Sequence, residues 1–379
     1  MENSKRQQFL INSSKVVLFL GAGSSAPFGR QTFVTFKTLF TEDNLGRDIK
    51  SFLDKIISSM ELVGRRVDIE GILWQLENYL DTEKPMLSDS LFRDYAYSKT
   101  IQISRLNSFF EKVRITKAAI ERLKTSHYGH FGEQEKNAIK EKLNDQYNFY
   151  KRIAGFNEGH LHIVTTNYDM AFEEMWIEKG PRDPEISLVT GIEGDFLRKG
   201  HGTWNPSIYD KIPDKGKSRW YIYRLHGCTH WFFGQESIYY SRKSPDNPFD
   251  IPCIMDPGSR FNIGDEPFRT AFNKFEILLK ECSLCIFIGF SFHDKDVIEM
   301  LLYVSTTKSK PLHILIVNKD PDMDIEFMRK RLKEVANPRP MNYDYKRLQI
   351  DSFEGSIDDK NTQTEILDGI SQILQYKSI

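Results

Sequence analysis

Six short runs of apolar, largely β-branched residues recur along the chain, each closing on glycine, a polar turn residue or a helical pattern. They are Val16–Leu20, Leu161–Thr165, Tyr221–Leu225, Leu284–Ile288, Leu312–Val317 and the weaker Leu348–Ile350. A run apolar at every position has no face to offer water, so it reads as a strand covered on both sides, as in a parallel sheet between helix layers. Helical spacing fills the intervals. Phe268, Phe272, Phe275 and Leu279 share one face, as do Ile325, Met328, Leu332 and Val335 ahead of Pro338. Thr362 with Glu365 reads as a capping box before Ile366, Leu367, Ile370, Ile373 and Leu374. Strand alternating with helix predicts a doubly wound α/β sheet.

One stretch breaks the alternation. From 48 to 157 the apolar residues follow helical spacing only: Phe52, Leu53, Ile56, Ile57 and Met60, then Ile72, Leu73, Leu76 and Leu80, then Leu106, Phe109, Phe110 and Val113, then Ile139, Leu143 and Tyr147. The expected organisation is therefore 1–47 as the first part of the α/β domain, 48–157 as an inserted all-helical module, and 158–379 as the remainder with a C-terminal helix. Arg198–Arg219 and Gly234–Asn262 read as long loops, of the kind that serve as lids or binding loops. The 379 residues, 40% hydrophobic and 28% charged, exclude a disordered chain or a small disulfide scaffold. A net charge of -1 supplies no overall field for nucleic acid, which is not expected as a direct ligand. The absence of a membrane-length apolar run or a leader pattern, with four scattered cysteines, predicts a cytoplasmic protein with free thiols.

Chemistry-bearing residues gather at the ends of the expected strands, where open α/β sheets bind ligands. In VVLFLGAGSSAPFG, Gly21, Ala22 and Gly23 followed by Ser24 and Ser25 allow a backbone to approach a pyrophosphate; the third glycine of a dinucleotide fingerprint and the GK[ST] of a P-loop are both missing, and a plain tight turn is the competing reading. In IVTTNYDM, Thr165, Asn167 and Asp169 can position water, a sugar hydroxyl or a ligand amide, or can simply turn the chain and cap a helix. In YIYRLHGCTHWFF, His226 can bond ribose hydroxyls or move a proton, while His230 reads as loop. In CIFIGFSFHDKDVIEML, Gly289 and Ser291 can face a phosphate, and Asp294 and Asp296 read as helix caps. Asn318 closes the fifth run, where its amide can reach an adenosine ribose.

Taken together, Gly21-Ala22-Gly23 with Ser25, Thr165 with Asn167 and Asp169, His226-Gly227, Gly289 with Ser291, and Asn318 follow the order of the sirtuin NAD-binding fold. TTNYD with GFSFHDKD more closely resembles the bacterial sirtuin-like NADase domains of antiphage defence systems, of the type partnered with a HerA-like ATPase. The resemblance implies a Rossmann-like sheet and NAD as substrate, cleaved to nicotinamide and ADP-ribose. It assigns Asn167 and His226 to catalysis. Gly21, Ala22, Gly23, Ser25, Thr165, Asp169, Gly289, Ser291 and Asn318 would bind NAD. It also implies a homo-oligomer or a partner-held assembly. There are departures. Thr166 stands where protein-deacylating sirtuins carry glutamine, Gly29–Phe33 lacks the proline and acid of their GIPDFR stretch, and the paired CxxC zinc module is missing. Cys282 and Cys285 flank the start of a strand and would face opposite ways, so no zinc is expected. Without that module the peptide cleft loses its basis and NAD hydrolysis is the favoured reading, with a deacylase or a non-catalytic NAD-binding subunit as alternatives.

Overall fold

In the computed structural model, which describes residues 14–28, 36–63, 67, 72–73, 75–76, 78–80, 103–128, 131–179, 183–194, 196–234, 237–242, 251–255, 263–292, 294–308, 310–336 and 348–375, twelve strands form two sheets. They are β1 (Val16–Leu20), β2 (Leu161–Thr165), β3 (Ile186–Val189), β4 (Ile192–Glu193), β5 (His201–Trp204), β6 (Ser218–Arg224), β7 (Gly227–Phe233), β8 (Ile238–Ser241), β9 (Ile251–Ile254), β10 (Leu284–Ile288), β11 (Leu312–Asn318) and β12 (Leu348–Glu354). The main helices are α1 (Arg47–Leu62), α2 (Ile103–Tyr128), α3 (Glu133–Gly155), α4 (Ala171–Lys179), α5 (Phe268–Glu281), α6 (Lys295–Thr307), α7 (Pro321–Ala336) and α8 (Lys360–Gln375).

The first sheet is parallel throughout, in the order β12-β11-β10-β1-β2-β6-β3. All six runs read from the sequence lie in it, and β1, β2 and β10 are buried at all five positions. The chain steps from β1 to one side for β2 and β6, then returns to the other side for β10, β11 and β12. That reversal is the switch point of a Rossmann-type sheet, and parallel pairing puts every carboxyl end on one edge. The register is pinned early: Asn157, just after α3, accepts from the Val16 amide at 2.9 Å and donates to its carbonyl at 2.7 Å. Tyr147 of α3 then packs its ring 5.0 Å from Trp220 of β6 and 6.4 Å from Trp176 of α4.

A second, five-stranded sheet, β4-β5-β8-β7-β9, was not visible in the sequence. It corrects two expectations. Both stretches read as loops hold strands, and His230 lies buried in β7, its Nδ1 2.8 Å from the Ser241 carbonyl oxygen. β5 and β8 are four residues long and alternate between more and less exposed positions, so no continuous apolar run announces them. Aromatic contacts fill this core, with Trp204 and Trp231 at 5.3 Å and Phe196 and Tyr240 at 4.8 Å.

The chain divides into two units, one of residues 1–30, 130–253 and 263–379 and the other of 31–129 and 254–262. This differs from a helical module over 48–157, because α3 buries Leu143, Tyr147, Tyr150 and Ile153 within the unit that holds the parallel sheet. In the other unit, Leu53, Ile56 and Met60 of α1 pack with Phe40, Leu45, Ile72, Leu76, Val113 and Ile120, and no strand occurs among the described residues of 31–129. No helix among the described residues is long and apolar enough to cross a membrane.

Candidate active site

The candidate NAD-site residues Gly21, Ala22, Gly23, Ser25, Thr165, Asn167, Asp169, His226, Gly289, Ser291 and Asn318 belong to the unit that carries the parallel sheet, at or just beyond the carboxyl ends of its strands. After β1 the chain makes two short 3₁₀ turns, Ala22–Ser24 and Ala26–Phe28, instead of entering a long helix. The glycines here answer to a neighbouring turn. The Gly21 amide donates to the Ile288 carbonyl and the Gly23 amide to the Gly289 carbonyl, both at 2.9 Å. Gly289 has φ +64°, and a Cβ there would stand 2.3 Å from the Ser24 nitrogen; one on Gly21 would stand 2.5 Å from the Gly289 oxygen. Two strand-end turns thus touch backbone to backbone, which only glycine permits. The Ser24 and Ser25 amides also bond inward, to the carbonyls of Gly21 and Ala22.

Asn167 is the hub of the site. Its amide hydrogen goes to Thr165 Oγ1 at 2.9 Å, and Thr165 Oγ1 in turn donates to the Leu20 carbonyl at 2.8 Å, tying the end of β2 to that of β1. Its Nδ2 faces three acceptors, Gly21 O at 3.0 Å, Ser25 Oγ at 3.1 Å and Ser24 Oγ at 3.3 Å. That orientation leaves Oδ1 buried without a hydrogen-bond partner among the described residues. Asn167, Asp169, Ser25, Phe28, Tyr150 and Arg224 contribute to the walls of a narrow pocket beside these strand ends. Asp169 spends Oδ1 on the Ala171 amide, 2.9 Å, at the start of α4. Burial pushes the Tyr150 hydroxyl well above its ordinary pKa, so it stays protonated, accepting from Gln146 Nε2 at 2.8 Å.

Behind Asn167 lies an ion pair that the sequence reading passed over. Arg224, the last residue of β6, and Glu173 of α4 are 1% and 3% exposed at their side chains. Arg224 Nη2 and Nε donate to Glu173 Oε1 at 2.6 and 3.1 Å, and Nη1 donates to the Asn167 carbonyl at 2.8 Å. Burial works against the guanidinium charge, but Glu173 outweighs it and raises the pKa. The signal was present, since an arginine inside the apolar run YIYRL demands a buried counter-charge.

His226 occupies the turn between β6 and β7. Gly227 follows with φ +82°, and a Cβ there would meet the Cys253 carbonyl oxygen at 1.8 Å, so the turn depends on glycine. The imidazole Nε2 stands 2.7 Å from Oδ2 of Asp294, and the Tyr168 ring lies 6.1 Å away. Asp294 caps α6 as expected, its Oδ1 accepting from the Asp296 amide at 2.9 Å and the Val297 amide at 3.2 Å; its contact with His226 was not foreseen. Burial raises the Asp294 carboxyl, but His226 and the two amides more than offset this and hold it below the usual range.

On the other side of β1, Ser291 is exposed beyond the Gly289 turn. Asn318 does not point out freely: its Nδ2 donates to Asp324 Oδ2 at 2.6 Å and to the Phe290 carbonyl at 3.4 Å. The structure thus links Gly21, Ser25, Thr165 and Asn167 through hydrogen bonds, places Asp169 at the same pocket, and gives His226 and Asn318 carboxylate partners. Gly29–Phe33 lies outside the described residues. Cys282 closes α5 and Cys285 sits in β10, both buried and neither in a disulfide. Among the described residues no group of three histidine, cysteine or acidic side chains is placed to hold a metal.

No curated protein matches the chain. Among solved structures, one described as "Structural Basis for the Mechanism and Regulation of Sir2 Enzymes" shares 13% identity over 98% of this chain and 100% of its own, with a TM-score of 0.39. Sir2Tm bound to a propionylated peptide shares 14% identity over 88% and 99%, with a TM-score of 0.32. A Sir2 complex with the inhibitor EX-527, 2'-O-acetyl-ADP-ribose and a deacetylated p53 peptide shares 14% over 88% and 98%, with a TM-score of 0.33. Residues 161–338, just under half of the chain and containing Asn167, His226, Asp294 and Asn318, match the family model of the SIR2-like domain.

Proposed function

We propose that this chain is an NAD+ glycohydrolase that cleaves the nicotinamide–ribose bond with water and needs no acylated peptide. The observation that carries the reading is the unpartnered Asn167 Oδ1, a buried acceptor on a residue that lines a narrow strand-end pocket. A buried acceptor without a donor costs roughly 1–3 kcal/mol, and a ribose hydroxyl or a water would satisfy it. Asp169 would then hold the carboxamide, and Asn167 the ribose and the attacking water. Gly21, Ala22, Gly23 and Ser25 would lie along the pyrophosphate by closeness of backbone, since the amides of Gly21, Gly23 and Ser25 are already used. Gly289, Ser291 and Asn318 would face the adenosine half.

The bond that breaks leaves its electron pair on nicotinamide, which departs neutral, and positive charge grows on the ribose as it does in glycoside cleavage. The protein's task is to orient that ribose and to accept the proton released when water adds to the anomeric carbon. His226 would take it. Because unchecked loss of NAD is lethal to a cell, the reading extends to a cytoplasmic effector of antiphage defence held inactive until triggered. A homo-oligomer and a HerA-like ATPase partner are the assemblies it expects.

Purified chain incubated with NAD, with and without an acylated peptide, separates the readings when nicotinamide is quantified by chromatography. Release without peptide is expected. Release only with peptide would make the chain a deacylase, and binding without release a non-catalytic subunit; either result overturns the proposal.

A further inference from the structure

We infer that Asp294 is a positioning residue for His226, and that the two side chains work as a carboxylate–imidazole pair bridging the loops that follow β6 and β10. The chemistry of this inference rests on the NAD-cleavage reading; the pairing itself does not. Three observations carry it. The contact is short and sheltered, 2.7 Å between Nε2 and Oδ2, with the side chains 13% and 12% exposed. The carboxylate is also immobilised. Oδ1 is committed to two backbone amides at the start of α6, so Oδ2 is held at a fixed place by a helix terminus that itself favours negative charge. Finally, His226 follows β6 and Asp294 follows β10, while β1 and β2 lie between those strands in the sheet. The pair therefore joins two loops across the ends of β1 and β2, from which Ser25 and Asn167 emerge.

The consequence is a defined tautomer. A carboxylate 2.7 Å from Nε2 favours a proton on that nitrogen, which leaves Nδ1 as the basic one. Neutral imidazole with ionised carboxylate carries one net negative charge, which favours positive charge growing on the ribose. When water adds to the anomeric carbon, its proton passes to Nδ1, and the resulting imidazolium remains paired with Asp294. The charged groups around the pair on α6 are Asp296, with Glu299 and Lys295 beyond it.

Asp294→Asn tests this, because asparagine keeps the helix cap while replacing the charged oxygen with an amide. Two readouts are needed. By NMR titration of the His226 ring, the pKa is expected to fall by about one unit or more in the variant, since a lost carboxylate no longer favours the imidazolium. In nicotinamide release, kcat should fall by about 100-fold or more with KM little changed, and the acid limb of the pH profile should move to lower pH. Asp294→Ser, which also caps but cannot reach His226, should give the same loss with an unchanged melting curve. An unmoved His226 titration, or wild-type kcat in either variant, overturns the inference. Wild-type protein that releases no nicotinamide while the His226 titration still shifts would refute the NAD-cleavage reading and leave the pairing intact.

Discussion

Removing one partner of the Arg224–Glu173 pair should destabilise the protein far more than removing both. The two side chains are 1% and 3% exposed, and the guanidinium is spread over Glu173 and the Asn167 carbonyl. Glu173→Gln leaves a buried cation without its counter-ion, and Arg224→Met leaves a buried anion. Each should cost about 3–5 kcal/mol. For a unit of this size that is a fall in melting temperature of about 6 °C or more. The double variant Arg224→Met/Glu173→Leu keeps the volume apolar and should recover most of the loss, because the attraction between two buried charges does little more than offset their desolvation. Near-UV circular dichroism melts of the four proteins measure this directly. Stability should return in the double variant while nicotinamide release stays low, since nothing then holds the Asn167 carbonyl. Single variants melting within about 1 °C of wild type, or a double variant as unstable as the worse single one, would refute the reasoning.

Three further outcomes are expected. Burial, opposed in part by the Asn318 amide, pushes Asp324 up to about 6. A carboxyl with a raised folded pKa stabilises the fold below its unfolded value and loses that contribution as pH rises through about 6. Asp324→Asn should therefore flatten the stability curve between about pH 4 and 7, read as urea midpoints; an unchanged curve contradicts the assignment. Gly289→Ala forces a side chain into φ +64° and 2.3 Å from the Ser24 nitrogen, so it should lower stability by about 2–4 kcal/mol and weaken NAD binding with it, by melt and calorimetry. With all four cysteines buried and apart from any metal-binding group among the described residues, a chelator should leave the melting temperature within about 1 °C.

What could be read in advance follows from burial on two faces. β1, β2 and β10 were legible residue for residue because each is a short, mostly apolar run buried at every position, and with them came the strand end where Asn167 stands. β5 and β8 were not, because alternating exposure over four residues leaves too short a pattern. The glycines of GAG were legible as a close approach, but the sequence could not say that one approaching group is the turn at Gly289. Asp294 was legible as a cap, which uses one oxygen; the other oxygen's partner lies far off in sequence, on a loop brought near only by the strand order. Arg224 and Glu173 could have been found, since a charge inside an apolar strand and another on a buried helix face call for each other.

The account stands or falls on Asn167. Nicotinamide release from NAD by wild-type chain and by Asn167→Ala, measured side by side without peptide and with matched melting curves, tests it most directly. The account predicts turnover in wild type and a loss of at least about 100-fold in the variant. Equal turnover in the two proteins would contradict it.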